Sequence, residues 1–147
     1  MKIIFSHTDP KSKSHVWISD FSTIDSVVDN NEATEIIVDS FLSAFNFEAL
    51  EHILGKIVSK MRLNSKLVIY QKDIDILSYM YNKTGMAISD INSLLFEDCP
   101  SVGCVLNIET ITDIISKSNL KIEEKTLNNE TMQAVITSRR IANAGTN

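Results

Sequence analysis

Three short apolar runs lie in the N-terminal third of the chain, and each gives way to polar residues. They cover residues 2–5, 16–18 and 35–38. Continuous apolar runs of this length are typical of strands that are covered on both faces. The pattern therefore predicts three short buried strands, each followed by a loop. Asp20 stands at the end of the second.

From Phe47 to Met61 the spacing changes, because apolar residues now recur every three or four positions. This period places them on one stripe of a helix, with Asn46 as a candidate cap for its first turn. A continuous β-branched run follows at residues 66–70 and predicts another strand. Strand, helix and strand in this order indicate a right-handed crossover in a parallel sheet.

Residues 73–98 have a helical pattern in two pieces, with Gly85 near the break. We have no functional interpretation for this region. Residues 100–105 are predicted to be irregular, and the spacing of apolar residues over 108–115 predicts a further helix. We expect Asn107 to cap its start and Asn119, in a left-handed conformation, to end it.

The last predicted elements are two strands at residues 120–125 and 132–138, joined through residues 127–130. The short polar connection favours an antiparallel hairpin. Residues 141–147 are small and polar, so we expect a loosely held tail. With 147 residues, of which 44% are hydrophobic and 22% charged, the chain fits a single domain over residues 1–147.

Charge and hydropathy exclude several classes of function. The chain has 14 Lys and Arg against 19 Asp and Glu, a net charge of -5, so nonspecific binding to nucleic acid or to an anionic membrane surface is not expected. No apolar stretch is long enough to span a membrane, and residues 1–5 are too short for a signal peptide. These observations favour a cytoplasmic location.

The candidate metal ligands are few and scattered. A structural zinc site needs four ligands, whereas the chain has two cysteines, Cys99 and Cys104, and three histidines. Two buried thiols are the favoured interpretation over a disulfide or a metal site. His7, Asp9 and His15 can be drawn as a zinc or iron cluster, but their spacing matches no motif, so no metal is expected.

Most of the chain resembles the small class I S-adenosylmethionine-dependent methyltransferases. The resemblance rests on the order of segments over residues 35–138. In the family these segments correspond to the fourth strand, its helix, the turn into the fifth strand, and the last helix with the sixth strand. Residues 2–5 and 16–20 fit the first and second strands. The matching segments are 35–38 with 41–45, 47–61, 62–69, 107–110 and 119–124.

The resemblance implies an α/β chain with a three-layer Rossmann-like methyltransferase fold. Its sheet would be mostly parallel, with a C-terminal antiparallel hairpin. It also implies that Asp20 stands where the family places an acidic residue that accepts hydrogen bonds from the ribose hydroxyls of S-adenosylmethionine. A solvated turn or a helix cap is an equally good interpretation of this aspartate.

Three departures from the family pattern bear on function. The family's glycine-rich loop after the first strand is replaced by residues 6–11, Ser-His-Thr-Asp-Pro-Lys, and no glycine precedes Gly55. Many small members carry a His and a Glu-His pair after the fourth strand, where this chain has Ser40 and Ser43-Ala44, so no general base is visible there. Asn64-Ser65 replaces the usual Pro-Gly-Gly, although Asn can serve a turn.

Other candidate chemistry has a simpler explanation. Ser6 with His7, or His7 with Asp9, could be drawn as a catalytic pair, but sequence neighbours seldom present both side chains to one substrate. Five aromatic residues could line a pocket for an adenine ring, yet each lies in or beside an apolar run, which favours core packing. These residues are Trp17, Phe21, Phe41, Phe45 and Phe47.

We therefore carry three hypotheses for function. The first is a methyltransferase-like protein, viral or accessory, that has lost catalysis and acts as a binding or structural subunit with a protein partner and no cofactor. The alternative is an active methyltransferase that holds S-adenosylmethionine through an atypical loop and Asp20, and transfers the methyl group by positioning alone. The third is a sensor that binds a nucleotide or metabolite in the same crevice.

Overall fold

A computed structural model describes residues 1–96 and 103–143, and these form one mixed sheet with helices. The sheet order is β2-β1-β3-β4-β6-β5. Its strands are β1 (Lys2–Phe5), β2 (Val16–Ile18), β3 (Ala33–Asp39), β4 (Met61–Lys72), β5 (Leu120–Asn128) and β6 (Gln133–Arg140). The α-helices are α1 (Ile24–Val27), α2 (Leu50–Lys60), α3 (Ile74–Thr84), α4 (Ile88–Phe96) and α5 (Ile108–Ser116).

Strands β2, β1, β3 and β4 pair in parallel, whereas β6 is antiparallel to both β4 and β5. The mostly parallel α/β sheet and the C-terminal hairpin are thus confirmed. Strands β3 and β4 flank α2 in the chain and are neighbours in the sheet, as the strand-helix-strand pattern predicts. No helix within the described residues is long and apolar enough to cross a membrane.

The hydrophobic core lies on one side of the sheet, which we call the first face. Because side chains alternate along a strand, aligned residues of neighbouring strands share a face. Ile3, Ile36 and Leu67 form one such row on the first face. The buried residues of α1, α2 and α5 join this core. The sheet residues in the core include Ile3, Phe5, Ile18, Ile36, Val38, Leu67, Ile69 and Ile136.

The opposite side, the second face, presents a different set of residues. Ile4, Ile37 and Val68 lie side by side there, next to Trp17 of β2. Ile4 and Val68 are buried but lie outside the core cluster of the first face. The helices whose buried residues belong to this core, α1, α2 and α5, therefore pack on the first face, whereas the buried Ile76 and Leu77 of α3 lie outside the core cluster.

Polar caps fix the ends of several helices. The Asn107 side chain accepts from the backbone N–H of Thr110 at 2.9 Å, which confirms the predicted cap of α5. Asp73 caps α3 by accepting from the N–H of Ile76, and its other oxygen accepts from the N–H of Ile108 at 2.7 Å. Gly85 ends α3 in the left-handed conformation that suits glycine (φ 67°).

Two predicted helix ends need correction. Asn46 precedes the helix, but its side chain makes no capping bond, and the first turn is a 3-10 helix, Phe47–Ala49. Asn119 is not left-handed. Helix α5 ends at Ser116, and the N–H groups of Lys117 and Ser118 bond back in a tightened last turn that already satisfies its carbonyls.

The turn that the resemblance places before the fifth strand, at Asn64-Ser65, is a bulge inside β4. Met61 pairs with Ala33 and Lys66 with Glu35, so four residues of β4 stand opposite one residue of β3. Asn64 has φ 64° and supplies the turn that the sequence assigned to it. Part of the segment 100–105, Cys99 and the end of the 141–147 tail lie outside the described residues, while Cys104 is half-buried.

Candidate binding cleft at the carboxyl edge of the sheet

The strand order creates a crevice beside β1. From β1 the chain passes to β2 on one side, and from β2 it crosses to β3 on the other side of β1. Connections that leave neighbouring strands in opposite directions leave a gap at their carboxyl ends, where α/β sheets bind ligands. The direction changes here between β1 and β3.

A cavity of about 440 Å³ occupies this position. Its size falls within the range of small-molecule sites. The lining comes from the residues directly after β1, β2 and β3, as expected for a crevice at the switch point. The lining residues are His7, Ser19, Asp20, Phe21, Ser22, Phe41, Ala44 and Phe45. Sequence reasoning did not single out Ser19 and Ser22, although Ser19 precedes Asp20 and Ser22 follows it by two residues.

Aromatic rings form the wall of the cleft. Phe41 is 2% exposed and packs against Phe5 and Phe45, with ring centroids 5.5 and 5.6 Å apart. Phe21 meets the edge of Phe45 at 5.5 Å. Three of the five aromatic residues considered for a pocket thus line the cleft while also packing on the core. Trp17 and Phe47 are exposed and lie outside the lining.

The His7 imidazole lies in the cleft, stacked on the ring of Phe41. The two centroids are 4.7 Å apart and the planes differ by 19°. His7 follows β1 by two residues, at the place where the resemblance expects glycine backbone. A side chain here occupies space that a glycine would leave open to a ligand.

The Asp20 carboxylate lines the cleft and also caps a short 3-10 helix, Phe21–Thr23. Its Oδ1 accepts from the N–H of Ser22 at 2.9 Å. Hydrogen bonds from the side chain and then the backbone of Ser22 lower the pKa of Asp20 below its ordinary value. The carboxylate is therefore an exposed anion at neutral pH. The cap interpretation is confirmed, and the ribose contact stays a prediction.

The connection from β1 to β2 has neither helix nor glycine. Residues 6–15 are held by their own polar groups. The Ser6 hydroxyl donates to the carbonyl of Thr8 at 2.8 Å, and the N–H of Lys11 donates to Asp9 Oδ1 at 2.8 Å. Lys11 takes a left-handed conformation, φ 52°. The Trp17 indole donates to the carbonyl of Ser6 at 3.0 Å and ties the start of the loop to β2.

The positions of the family's general base carry no titratable side chain. Ser43 is buried, and its carbonyl accepts from the N–H of Gly103 at 2.8 Å. Ala44 lines the cleft, while Ser40 donates to Asp39 at 3.4 Å. Among the residues that line the cleft, His7 and Asp20 are the titratable groups.

The candidate metal ligands do not converge. His15 Nδ1 lies 3.0 Å from the Ser12 hydroxyl, and its Nε2 is 3.9 Å from Glu35 on the second face. His7 lies instead in the cleft, and Asp9 holds the turn at Lys11. Within residues 1–96 and 103–143, no group of three His, Cys, Asp or Glu side chains is placed to bind a metal ion.

The residues fit only part of S-adenosylmethionine. Asp20 and the aromatic wall suit an adenosine, since a carboxylate can accept from ribose hydroxyls and rings can pack on a base. The methionine part needs open backbone after β1, where His7 and the self-bonded loop stand. The described residues therefore do not fit the whole cofactor.

Comparison with known proteins finds similar folds among solved structures but no match to a family model or a curated sequence. No family model matches the sequence, and no curated protein matches it. Solved structures do match. The mitomycin 7-O-methyltransferase MmcR aligns with a TM-score of 0.59 and 17% identity, over 86% of this chain and 34% of that one.

Two further structures show the same likeness. Magnesium protoporphyrin IX methyltransferase (ChlM) from Synechocystis PCC 6803, with bound S-adenosylhomocysteine, aligns with a TM-score of 0.55 and 10% identity, over 86% of this chain and 51% of that one. An O-methyltransferase family 2 protein from Planctomyces limnophilus, in complex with apigenin, gives 0.56 and 16%, over 75% and 31%. The chain spans about a third to a half of the length of these structures. It therefore has the Rossmann-like fold of the class I S-adenosylmethionine-dependent methyltransferases.

Proposed function

We propose that this chain is a methyltransferase-like protein that does not transfer methyl groups and acts as a binding or structural subunit. One observation carries the proposal: the ten-residue connection from β1 to β2 has no helix and no glycine, and it places the His7 ring in the cleft. A cofactor would have to displace this ring from Phe41 before its methionine part could approach the backbone.

The chemistry of the lining supports the same proposal. A methyltransferase that deprotonates its acceptor needs a base near the reacting atoms. The matching positions Ser40, Ser43 and Ala44 provide none, and the fold itself does not depend on them. The core on the first face is complete without a functional cofactor site, so the fold can persist as a scaffold.

The test is thermal unfolding with and without S-adenosylmethionine and S-adenosylhomocysteine. A ligand at about a hundred times its dissociation constant adds about 2.7 kcal/mol to the free energy of unfolding and raises Tm by several degrees. We expect no shift at about millimolar ligand. A clear shift with either ligand, followed by methyl transfer to any acceptor, would contradict the proposal.

A second candidate is the binding of an adenosine-containing ligand without methyl transfer. It is favoured by the cavity of about 440 Å³, with Asp20 at its rim and three aromatic rings in its wall. Here a thermal shift would be seen with adenosine-containing ligands generally, and Asp20→Ala should weaken binding by about 1.5 to 3 kcal/mol. Asp29→Ala is the matched control, because Asp29 is also exposed but does not line the cleft.

A further inference from the structure

His7 lines two cavities at the carboxyl edge of the sheet. One is the cleft of about 440 Å³. The other is a smaller polar pocket of about 40 Å³, which His7 lines together with Ser6, Thr8, Asp39 and Ser40. Phe5 of β1 is aligned with Val38 of β3, so the residues that follow these two strands lie side by side around the pocket. His7 therefore lies at the border between an aromatic cavity and a polar one.

The His7 ring occupies one face of Phe41, a position that we call the ring site. The two rings are stacked, with centroids 4.7 Å apart and planes that differ by 19°. Phe5 packs against Phe41 in a tilted arrangement and Phe45 packs edge-on, at 5.5 and 5.6 Å. A flat nitrogen heterocycle is thus held on an aromatic ring in a cavity of small-molecule size. The chain itself shows which kind of ring this position accepts.

The backbone beside His7 is held without the help of its side chain. The N–H of Ser6 donates to the carbonyl of Ile18 at 3.3 Å, and the carbonyl of Ser6 accepts from the Trp17 indole at 3.0 Å. The Ser6 hydroxyl donates to the carbonyl of Thr8 at 2.8 Å. Because His7 is half-buried, rotation about its side-chain bonds can turn the ring toward solvent while the loop stays in place.

The groups around the ring site are acidic. Asp20 lines the cleft, and hydrogen bonds from Ser22 lower its pKa, so it is an anion at neutral pH. Asp39 lines the polar pocket and accepts from the Ser40 hydroxyl at 3.4 Å. The described residues that line the two cavities include no lysine or arginine. Carboxylates accept hydrogen bonds and the face of Phe41 is electron-rich, so these surroundings favour a ring with N–H donors over an anion.

We propose that the cleft binds a flat nitrogen heterocycle on the face of Phe41, and that His7 is an internal occupant which this ligand displaces. The inference rests on the proposed function, a binding role without methyl transfer, and names the chemical class that is bound. It differs from the adenosine candidate because a ring with N–H donors is sufficient and no ribose is required. In the absence of ligand, the His7 ring keeps the ring site filled.

The first experiment removes the internal occupant and supplies a free one. His7→Ala should leave the loop in place and open the ring site, so free imidazole at about 10 to 100 mM should raise its Tm by a few degrees. Wild-type protein should show no such shift, because its own ring fills the site. His52→Ala is the matched control, since His52 is exposed on α2 and its loss opens no cavity. If imidazole stabilises all three proteins equally, the inference is overturned.

The second experiment compares the affinity of a larger ring for two proteins. Benzimidazole must displace His7 in the wild type, so it should bind His7→Ala about two- to tenfold more tightly, which is the scale of one aromatic pair. Benzoate is also flat but negatively charged, and it should bind neither protein. Isothermal titration calorimetry measures both ligands. Weaker binding of benzimidazole to His7→Ala would mean that the ligand stacks on His7 instead of replacing it. Either that result or equal binding of benzoate would overturn the inference.

The third experiment follows the His7 ring itself by proton NMR of the wild type. The chain has three histidines, and the His7 signals are those lost in His7→Ala. The ring current of Phe41 should hold these signals upfield, so benzimidazole should move them downfield, toward the positions of a solvent-exposed histidine. Movement further upfield, or none at saturating ligand, would overturn the displacement. These outcomes are independent of the thermal shift with S-adenosylmethionine, which tests the proposed function.

Discussion

The ammonium group of Lys60 is buried, and the carboxylate that balances it is mostly exposed. Lys60 is 3% exposed and its Nζ lies 2.7 Å from Asp25 Oδ1, while Lys56 Nζ lies 2.6 Å from Oδ2. Hydrogen bonds from Lys56 and then from Lys60 lower the pKa of Asp25. The three residues join α2 to α1. A buried charge is tolerated only when it is paired, so Asp25 has a structural task that its exposure does not reveal.

Replacing the Asp25 carboxylate should make the free energy of unfolding depend less on pH in the acidic range. Because the pKa of Asp25 is lower in the folded state, its contribution is present above the unfolded pKa of about 3.9 and is lost as the pH falls through the folded pKa. Asp25→Asn should therefore lower Tm at neutral pH, and the difference from wild type should shrink below about pH 4. Asp29→Asn serves as the control, and an equal Tm loss at every pH would contradict this account.

At the scale of elements, the segment that leads into α5 is fitted closely onto the loop after β3. The N–H groups of Gly103 and Cys104 both donate to the carbonyl of Ser43, at 2.8 and 3.2 Å. A Cβ at position 103 would overlap the carbonyl group of Phe45 and come within 2.8 Å of the N–H of Asn46. Gly103 thus packs against the backbone of the loop that carries Ala44 and Phe45 into the cleft.

Gly103→Ala should destabilise the protein by about 1 to 3 kcal/mol, because backbone cannot move aside as a flexible side chain can. Gly55→Ala is a well-matched control. Gly55 lies inside α2, and nothing stands within 4 Å of a Cβ there. The control should raise stability by about 0.5 to 1 kcal/mol through helix propensity. Chemical denaturation of both variants checks the two signs, and equal effects would refute the close packing at Gly103.

At the scale of the whole molecule, one core on the first face holds the fold. Its centre includes Leu54 and Ile57 of α2, which are 2% and 0% exposed. If β3 corresponds to the family's fourth strand and β2 to its second, the described residues between them contain short helical turns and α1 in place of a third strand.

Leu54→Asp should therefore unfold the protein, since it buries an unpaired charge, at a cost above about 4 kcal/mol. His52→Asp places the same residue on the exposed side of the same helix and should leave the far-UV circular dichroism and Tm nearly unchanged. A folded Leu54→Asp protein with the Tm of wild type would show that α2 does not pack on the core as described.

The sequence by itself determined the order of strands and helices, the stripe of α2, the cap at Asn107 and the position of Asp20 after β2. These features depend on local periodicity and on side chains that bond within a few residues, and such information lies along the chain. Where two local hydrogen-bonding arrangements compete, as at the start of α2 and the end of α5, the sequence predicted the helix ends less reliably. The helix ends predicted at Asn46 and Asn119 were wrong, because a 3-10 turn satisfies the same backbone groups without these side chains.

Only the tertiary structure decided which side chains meet. His7 and Phe41 stack although they lie far apart in the sequence, because pairing of β1 with β3 brings their carboxyl ends together. Pairing of β2 with β1 brings Phe21 against Phe45 in one wall and places Trp17 beside Ile4 on the second face. Such contacts follow from strand order and register, which are set by non-local packing, so no local pattern could specify them.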